Sequence, residues 1–373
     1  IKDAIQTKDF VTTSGMPELA GFVPEQDATA VKRLKAAGAI ILGKTNLSTL
    51  CIHPESKNEI YGQTNNPYNL EISPGGSSGG EAALIASGGS ALGIGSDAGG
   101  SLRIPAHYCG VAALKPTRGR IPATGHVPPN VGVGIGVFSE VGPIARYVKD
   151  LNLALKILSG SNYMDITAPP VPLKNKEKVQ ISNLKLAYYT DNQQYSSTEE
   201  TIEVVETAVK NIKKTGAKVK EEFPEGLNDI YTIINQMTSH FDLSLNIMQN
   251  DFMKFMKSDL LNNGITYEVI DSWIEKVKKE KNESLMSANE LYFLTIKLDL
   301  FRRKMLDYMK DYDLIICPVS AKPALPHGFT EKEENINFLY YTLPYNWIGN
   351  PVVVIRGGTS PEGLPIGLQV IAK

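Results

Sequence analysis

The sequence predicts an α/β fold: a single domain in which a twisted mixed β-sheet is sandwiched between α-helices. Three observations lead there. Strand-like and helix-like segments alternate through the first third of the chain, residues 183–223 read as one βαβ unit, and the chain closes on two apolar strand patterns joined by a turn. Such alternation buries the apolar face of a sheet under helices. At 373 residues, 42% hydrophobic and 21% charged, the chain has ample length for one core.

In order, Asp27 is placed to cap a helix over 28–37, "ATAVKRLKAA", and Gly38 stands where that helix should stop. "AIIL", 39–42, then reads as a short buried strand. "EAALIAS", 81–87, is composed of good helix formers, and "ALGIGSD", 91–97, is a short apolar segment running into a glycine loop. "APPVPLKNKEKV", 168–179, reads as an exposed connection. "NLKLAYYT" follows as a strand. Ser197 with Glu200 forms a capping box, and Ile202, Val205, Val209 and Ile212 share one helical face. Gly216 ends that helix and "AKVKEEF" is the next strand. Residues 228–312 read as mostly helical. "YDLIICP", "PVVVIRGG" and "GLPIGLQVI" supply further strands, the last two joined by "TSPEG". Within this domain, 150–312 forms a variable, largely helical segment expected to cover a site like a lid.

A formal charge of −2 gives no general attraction to nucleic acid or anionic membrane. Three scattered cysteines, Cys51, Cys109 and Cys317, fit a reducing compartment rather than a disulfide framework, with Cys109 and Cys317 in apolar, packing surroundings. No apolar run reaches the roughly 18 residues of a membrane-spanning helix. A cytoplasmic location is the expectation. Both ends, "IKDAIQTKDF" and "GLPIGLQVIAK", read as cut through structured protein, which leaves an upstream signal or anchor open.

The chemistry concentrates in "PGGSSGGEAALIASGGSALGIGSDAGGSLR", residues 74–103, with 10 glycines in 30 positions. In "DAGGS" the backbone N–H groups of Ala98, Gly99, Gly100 and Ser101 can crowd into an anion-binding nest. A tetrahedral oxyanion formed at Ser101 would meet those donors, each worth roughly 3 kcal/mol of barrier. A serine nucleophile also needs a base. His107 lies nearest in sequence but reads as a packing or capping residue beside Cys109. A lysine can serve instead if burial or neighbouring positive charge lowers its pKa by several units.

These residues, extended through "RIPAHYCGVAALKPTRGR", resemble the signature of the amidase signature family of serine hydrolases. The glutamate after "GGSSGG", Glu81, is most similar to the fatty acid amide hydrolase branch. The resemblance is strong over residues 1–150, fair over 312–373 and faint between. It implies the amidase signature fold and a Ser-cisSer-Lys triad: Lys2 as base, Ser77 as the bridging serine behind a cis peptide, and Ser101 as nucleophile. The spacings, 75 residues from Lys2 to Ser77 and 24 from Ser77 to Ser101, match the family's arrangement. Ser78 would hydrogen-bond within the network, and Asp97 and Arg103 would be a structural pair. The implied activity is hydrolysis of a small-molecule amide through an acyl-enzyme, without cofactor. The alternative is the A subunit of a glutamine-dependent transfer-RNA amidotransferase, which would bring partner subunits and a charged transfer RNA. A homodimer is compatible with either.

Two further motifs are decoys. "GAIILGKT", 38–45, fits the phosphate-loop pattern, but a helix precedes Gly38 where a strand is required. "GIGSDA", 93–98, lacks the opening helix of a dinucleotide site. No His/Cys/Asp cluster has metal-ligand spacing. Between 230 and 256, Met237 and Phe241 belong to a stripe of large apolar residues that suits core packing or, more specifically, the wall of an acyl pocket.

Overall fold

The computed structural model describes residues 1–129, 138–174, 176–233, 236, 288–330 and 338–373. Near the start, helix α1 (Thr29–Ala36) buries Ala30, Val31 and Leu34. The strand pair β1 (Lys57–Asn58) and β2 (Gly62–Gln63) forms a small separate ribbon. Next come helix α2 (Gly79–Ala86), strand β3 (Leu92–Asp97), helix α3 (Arg103–Cys109) and strand β4 (Ala112–Lys115). Strand β5 (Glu140–Ala145) and helix α4 (Val148–Leu158) complete the first half. The second half carries β6 (Lys185–Tyr188), α5 (Glu199–Lys213), β7 (Lys218–Glu221), α6 (Ala288–Tyr308), β8 (Leu314–Pro318), α7 (Leu343–Ile348), β9 (Val352–Thr359) and β10 (Pro365–Ala372).

Eight of these strands form one mixed sheet in the order β3-β5-β4-β9-β10-β8-β6-β7. The pairs from β3 to β8 are antiparallel, and β8, β6 and β7 run parallel. Strand alternation sends neighbouring side chains to opposite faces. On β9, Val353 joins the core under α4, while Val352 and Val354 face the cores of α6, α7, α2 and α3. On β6, Leu186 and Tyr188 pack with Val205 and Val209 of α5, and Ala187 points to the α6 side. The sheet is therefore covered on both faces, and β6-α5-β7 is the parallel unit read from residues 183–223.

Four local expectations are revised. Residues 39–42 join no sheet ladder; Ile40 and Leu42 stand 85% and 70% exposed, so apolar composition alone had mimicked a buried strand. Asp27 is not the cap of α1. Ala28 holds that place, and Asp27 instead accepts from the Lys8 amide at 2.8 Å and from Lys35 Nζ at 2.9 Å. Helix α2 opens at Gly79, two residues before the glutamate read as its start. The capping box at Ser197 is not formed: Thr198 is the N-cap of α5, its amide donates to the Ala321 carbonyl at 2.9 Å, and Ser197 Oγ lies 2.9 Å from the Tyr341 hydroxyl. Gly38, at φ +89°, does stop α1. Among the described residues no helix is long and apolar enough to cross a membrane.

Candidate active site

Strand β3 delivers two consecutive polar residues, Ser96 and Asp97, into buried surroundings at its C-terminal end. Lys2 runs beside this strand, its amide donating to the Ile94 carbonyl at 2.9 Å. Its side chain is wholly buried and donates from Nζ to Ser77 Oγ at 2.7 Å and to Ser96 Oγ at 2.9 Å. The spacing of 75 residues thus closes into one hydrogen bond.

Ser77 is held by the loop around it. The Gly76–Ser77 peptide is cis. Gly76 is required for space: a Cβ there would lie 2.5 Å from the Glu55 amide nitrogen. Ser56 Oγ donates to the Gly75 carbonyl at 3.0 Å and accepts from the Gly79 amide at 2.8 Å, pinning both sides of the serine pair. At Gly80 a Cβ would meet the Asn46 carbonyl oxygen at 2.5 Å. The glycines permit close packing here rather than looseness. Ser78 donates to the Ser96 carbonyl at 3.2 Å, and its amide donates to the Ser101 carbonyl at 3.2 Å. Ser101 is half-buried at the turn between β3 and α3, whereas Lys2, Ser77 and Ser78 are fully enclosed.

Burial dominates the Lys2 titration and lowers its pKa, because an ammonium loses its hydration there. The Cys51 thiol leads the influences working the other way. Burial pushes the Cys51 thiol up, but the Lys2 charge and His126 outweigh it and bring it down to about 6. His126 is buried with Nε2 2.9 Å from Ser96 Oγ. Ser96, Cys51 and His126 were not anticipated as parts of the site. Their signal is spatial: positions 51 and 126 lie outside the glycine-rich stretch, and the fold alone brings Cys51 beside Lys2 and His126 onto Ser96.

Asp97 and Arg103 form a separate buried cluster. The guanidinium donates from Nε to Oδ2 and from one terminal nitrogen to Oδ1, both at 2.9 Å. Asp97 also accepts from the Gly100 amide at 2.8 Å, the Leu102 amide at 3.1 Å and Asn346 Nδ2 at 2.9 Å. Burial opposes ionisation, yet Arg103 and Asn346 overcome it and hold the carboxyl well below its ordinary range. The Gly100 amide is therefore engaged with Asp97 rather than turned to an oxyanion. Of the amides expected to cradle one, Ala98, Gly99 and Ser101 remain as candidates.

His107 is a structural residue. Its Nδ1 accepts the Gly367 amide at 2.6 Å, Nε2 lies 2.9 Å from the Lys322 carbonyl, and burial draws it down to about 4. Cys109 and Cys317 are buried in apolar cores, and burial pushes the Cys317 thiol up to about 12. The lysine of the phosphate-loop decoy, Lys44, donates to the Ile5 carbonyl at 2.6 Å and Thr12 Oγ1 at 2.7 Å. No group of three or more potential metal ligands occurs among the described residues. Met237 and Phe241 lie outside the described residues.

Known proteins share this architecture along the whole chain. A family model described as Amidase matches residues 1–373. The A subunit of glutamyl-tRNA(Gln) amidotransferase from Alkaliphilus metalliredigens is 33% identical over 392 residues, covering 100% of this chain and 78% of the relative. Among solved structures, the protein of the same name from Thermotoga maritima superposes with a TM-score of 0.80 at 26% identity, covering 100% of this chain and 78% of that one. A fatty acid amide hydrolase gives a TM-score of 0.78 at 25% identity, covering 100% and 69%. The resemblance to the hydrolase branch carried by Glu81 is therefore not singled out by the whole chain, which is similar to both groups.

Proposed function

The chain belongs to the amidase family, and from that premise we propose that it breaks a carboxylic amide C–N bond through an acyl-enzyme on Ser101. The observation that carries this reading is the 2.7 Å contact between Ser77 and a buried, pKa-lowered Lys2. Uncharged Lys2 accepts a proton from Ser77 as Ser77 takes one from Ser101. The Ser101 oxygen adds to the amide carbonyl, and the oxyanion is held by backbone N–H groups at 98, 99 and 101. The proton returns through Ser77 to the leaving nitrogen as the C–N bond breaks. Water, deprotonated by the same relay, then cleaves the ester and restores Ser101.

For the setting of this chemistry, the relatives favour the A subunit of a glutamine-dependent amidotransferase. Eight curated relatives at 30–33% identity all bear the name of the glutamyl-tRNA(Gln) amidotransferase A chain. In that setting glutamine is the amide cleaved, and its ammonia passes to a charged transfer RNA held with partner subunits. A free-standing amide hydrolase is the second reading, supported by the likeness to fatty acid amide hydrolase.

The test has two stages. A fluorophosphonate probe should label wild-type protein at Ser101 and leave Ser101→Ala unlabelled; equal labelling of both would sink the acyl-enzyme. Glutamine hydrolysis that rises on adding the partner subunits of an amidotransferase supports the first setting. Turnover of aryl or fatty amides by the isolated chain, with no response to those subunits, supports the second.

A further inference from the structure

Resting on the catalytic reading of Lys2, we infer that His126 is a positioning residue that sets the direction of hydrogen bonding at Lys2 by way of Ser96. His126 lies in "TGHVPPN", outside the motif that carries the family resemblance. Its Nδ1 lies 2.8 Å from the Pro128 carbonyl oxygen, and its Nε2 lies 2.9 Å from Ser96 Oγ. A carbonyl can only accept, so Nδ1 carries the hydrogen. In the neutral ring Nε2 is then a bare acceptor, and Ser96 gives its single hydroxyl proton to it.

The consequence falls on Lys2. Ser96 Oγ, with its proton committed, faces the lysine 2.9 Å away only as an acceptor. Lys2 therefore places an N–H on Ser96. An uncharged amine has one lone pair, and Ser77 Oγ, 2.7 Å from Nζ, is where that pair is needed. Were Ser96 to point its proton at the lysine, the lone pair would be capped and the serine relay blocked. The backbone around Ser96 is fixed independently: Ser78 Oγ donates to its carbonyl at 3.2 Å. His126 is buried and both of its ring nitrogens are engaged, Nδ1 at the Pro128 carbonyl and Nε2 at Ser96 Oγ, so the ring is held rather than free to rotate.

The test uses the whole chain, three variants and a spectroscopic check. His126→Leu removes the acceptor, His126→Gln restores one through the amide oxygen, and Ser96→Ala removes the link. Partners that orient metal ligands change affinity or activity by roughly 10- to 100-fold when removed, and an effect of the same order is expected for a partner that orients this amine. His126→Leu should slow fluorophosphonate labelling of Ser101, and kcat on a substrate, by about that factor with KM unchanged. His126→Gln should recover most of the rate. The double variant His126→Leu/Ser96→Ala should be no slower than the slower single variant, since both break one chain of contacts. Thermal unfolding separates lost folding from lost positioning; should His126→Leu fail to fold, His126→Gln against Ser96→Ala carries the comparison. Wild-type rates in folded His126→Leu, or a Gln variant as slow as the Leu variant, would overturn the inference. The nitrogen-15 spectrum of the wild-type imidazoles should show His126 protonated at Nδ1 and bare at Nε2; the reverse tautomer would overturn it without reference to activity. If the wild type is not labelled at Ser101, the catalytic reading fails, and the tautomer alone then decides whether His126 orients Ser96.

Discussion

Two polar clusters meet at the end of β3, one residue apart, and they treat buried charge in opposite ways. Asp97 faces a guanidinium, backbone amides and the Asn346 amide, so its charge is met on every side. Lys2, reached through Ser96, has hydroxyl partners in Ser77 and Ser96 and the Cys51 thiol beside it. A buried charge with full compensation is held ionised and inert, whereas a buried amine among hydroxyls is pushed toward its neutral, basic form. The difference separates the paired cluster from the proposed base more sharply than burial does, because Lys2 and Asp97 are both fully buried.

The contrast breaks first at Lys2. Replacing it with alanine removes the proposed base while leaving Asp97 and Arg103 untouched. Activity should fall by about 10²- to 10⁴-fold, the range for a positioned general base. Raising the pH should restore part of it, since hydroxide can then deprotonate the serine. Near-normal kcat at pH 7 in Lys2→Ala would place the base elsewhere.

The paired cluster should answer in stability instead. Arg103→Met leaves a buried carboxylate without its cation, and such a loss costs about 3–5 kcal/mol, read from denaturant midpoints. Asp97→Asn should destabilise through the orphaned guanidinium in the same range. The pH dependence follows from the depressed Asp97 pKa. Its contribution is complete above the ordinary carboxyl value of 3.8 and is lost as pH falls through the lower folded value. The Asp97→Asn protein should therefore lack that part of the wild type's acid sensitivity. A folded Arg103→Met protein with wild-type stability would contradict the scaffold assignment.

The same two clusters mark how far the sequence could be read. The βαβ unit, the C-terminal strand pair and the covered sheet were legible because apolar period and turn residues are local signals. Ser77 could be connected to Lys2 by resemblance, since fixed spacings survive as letters. Asp97 and Arg103, on either side of Ser101, could be paired by the same resemblance. Ser96, Cys51 and His126 were not legible as a group: each is ordinary in its own stretch, and only tertiary closure brings Ser96 and Cys51 to one amine and His126 to Ser96. The misreadings have the same origin. "AIIL" looked buried because composition cannot say whether a neighbouring strand exists, and Asp27 looked like a cap because Lys35 and the Lys8 amide are not visible as competitors for its oxygens. The glycines read as an oxyanion nest, but the turn directs the Gly100 amide to Asp97, which local sequence does not reveal.

The finest adjustment of the contrast is at Cys51. Burial lowers the Lys2 pKa, and the Cys51 thiol is first among the influences that raise it again. Cys51→Ala removes that influence and leaves the hydroxyl partners in place. Lys2 should then lose its proton at lower pH, and the acid limb of kcat/KM should move to lower pH. The plateau rate should fall modestly, because a less basic amine draws the serine proton less strongly. Cys51→Ser keeps a polar group without a readily formed anion and should shift the limb in the same direction. An acid limb that stays in place in both variants, or moves to higher pH, would show that the thiol does not speak to the lysine.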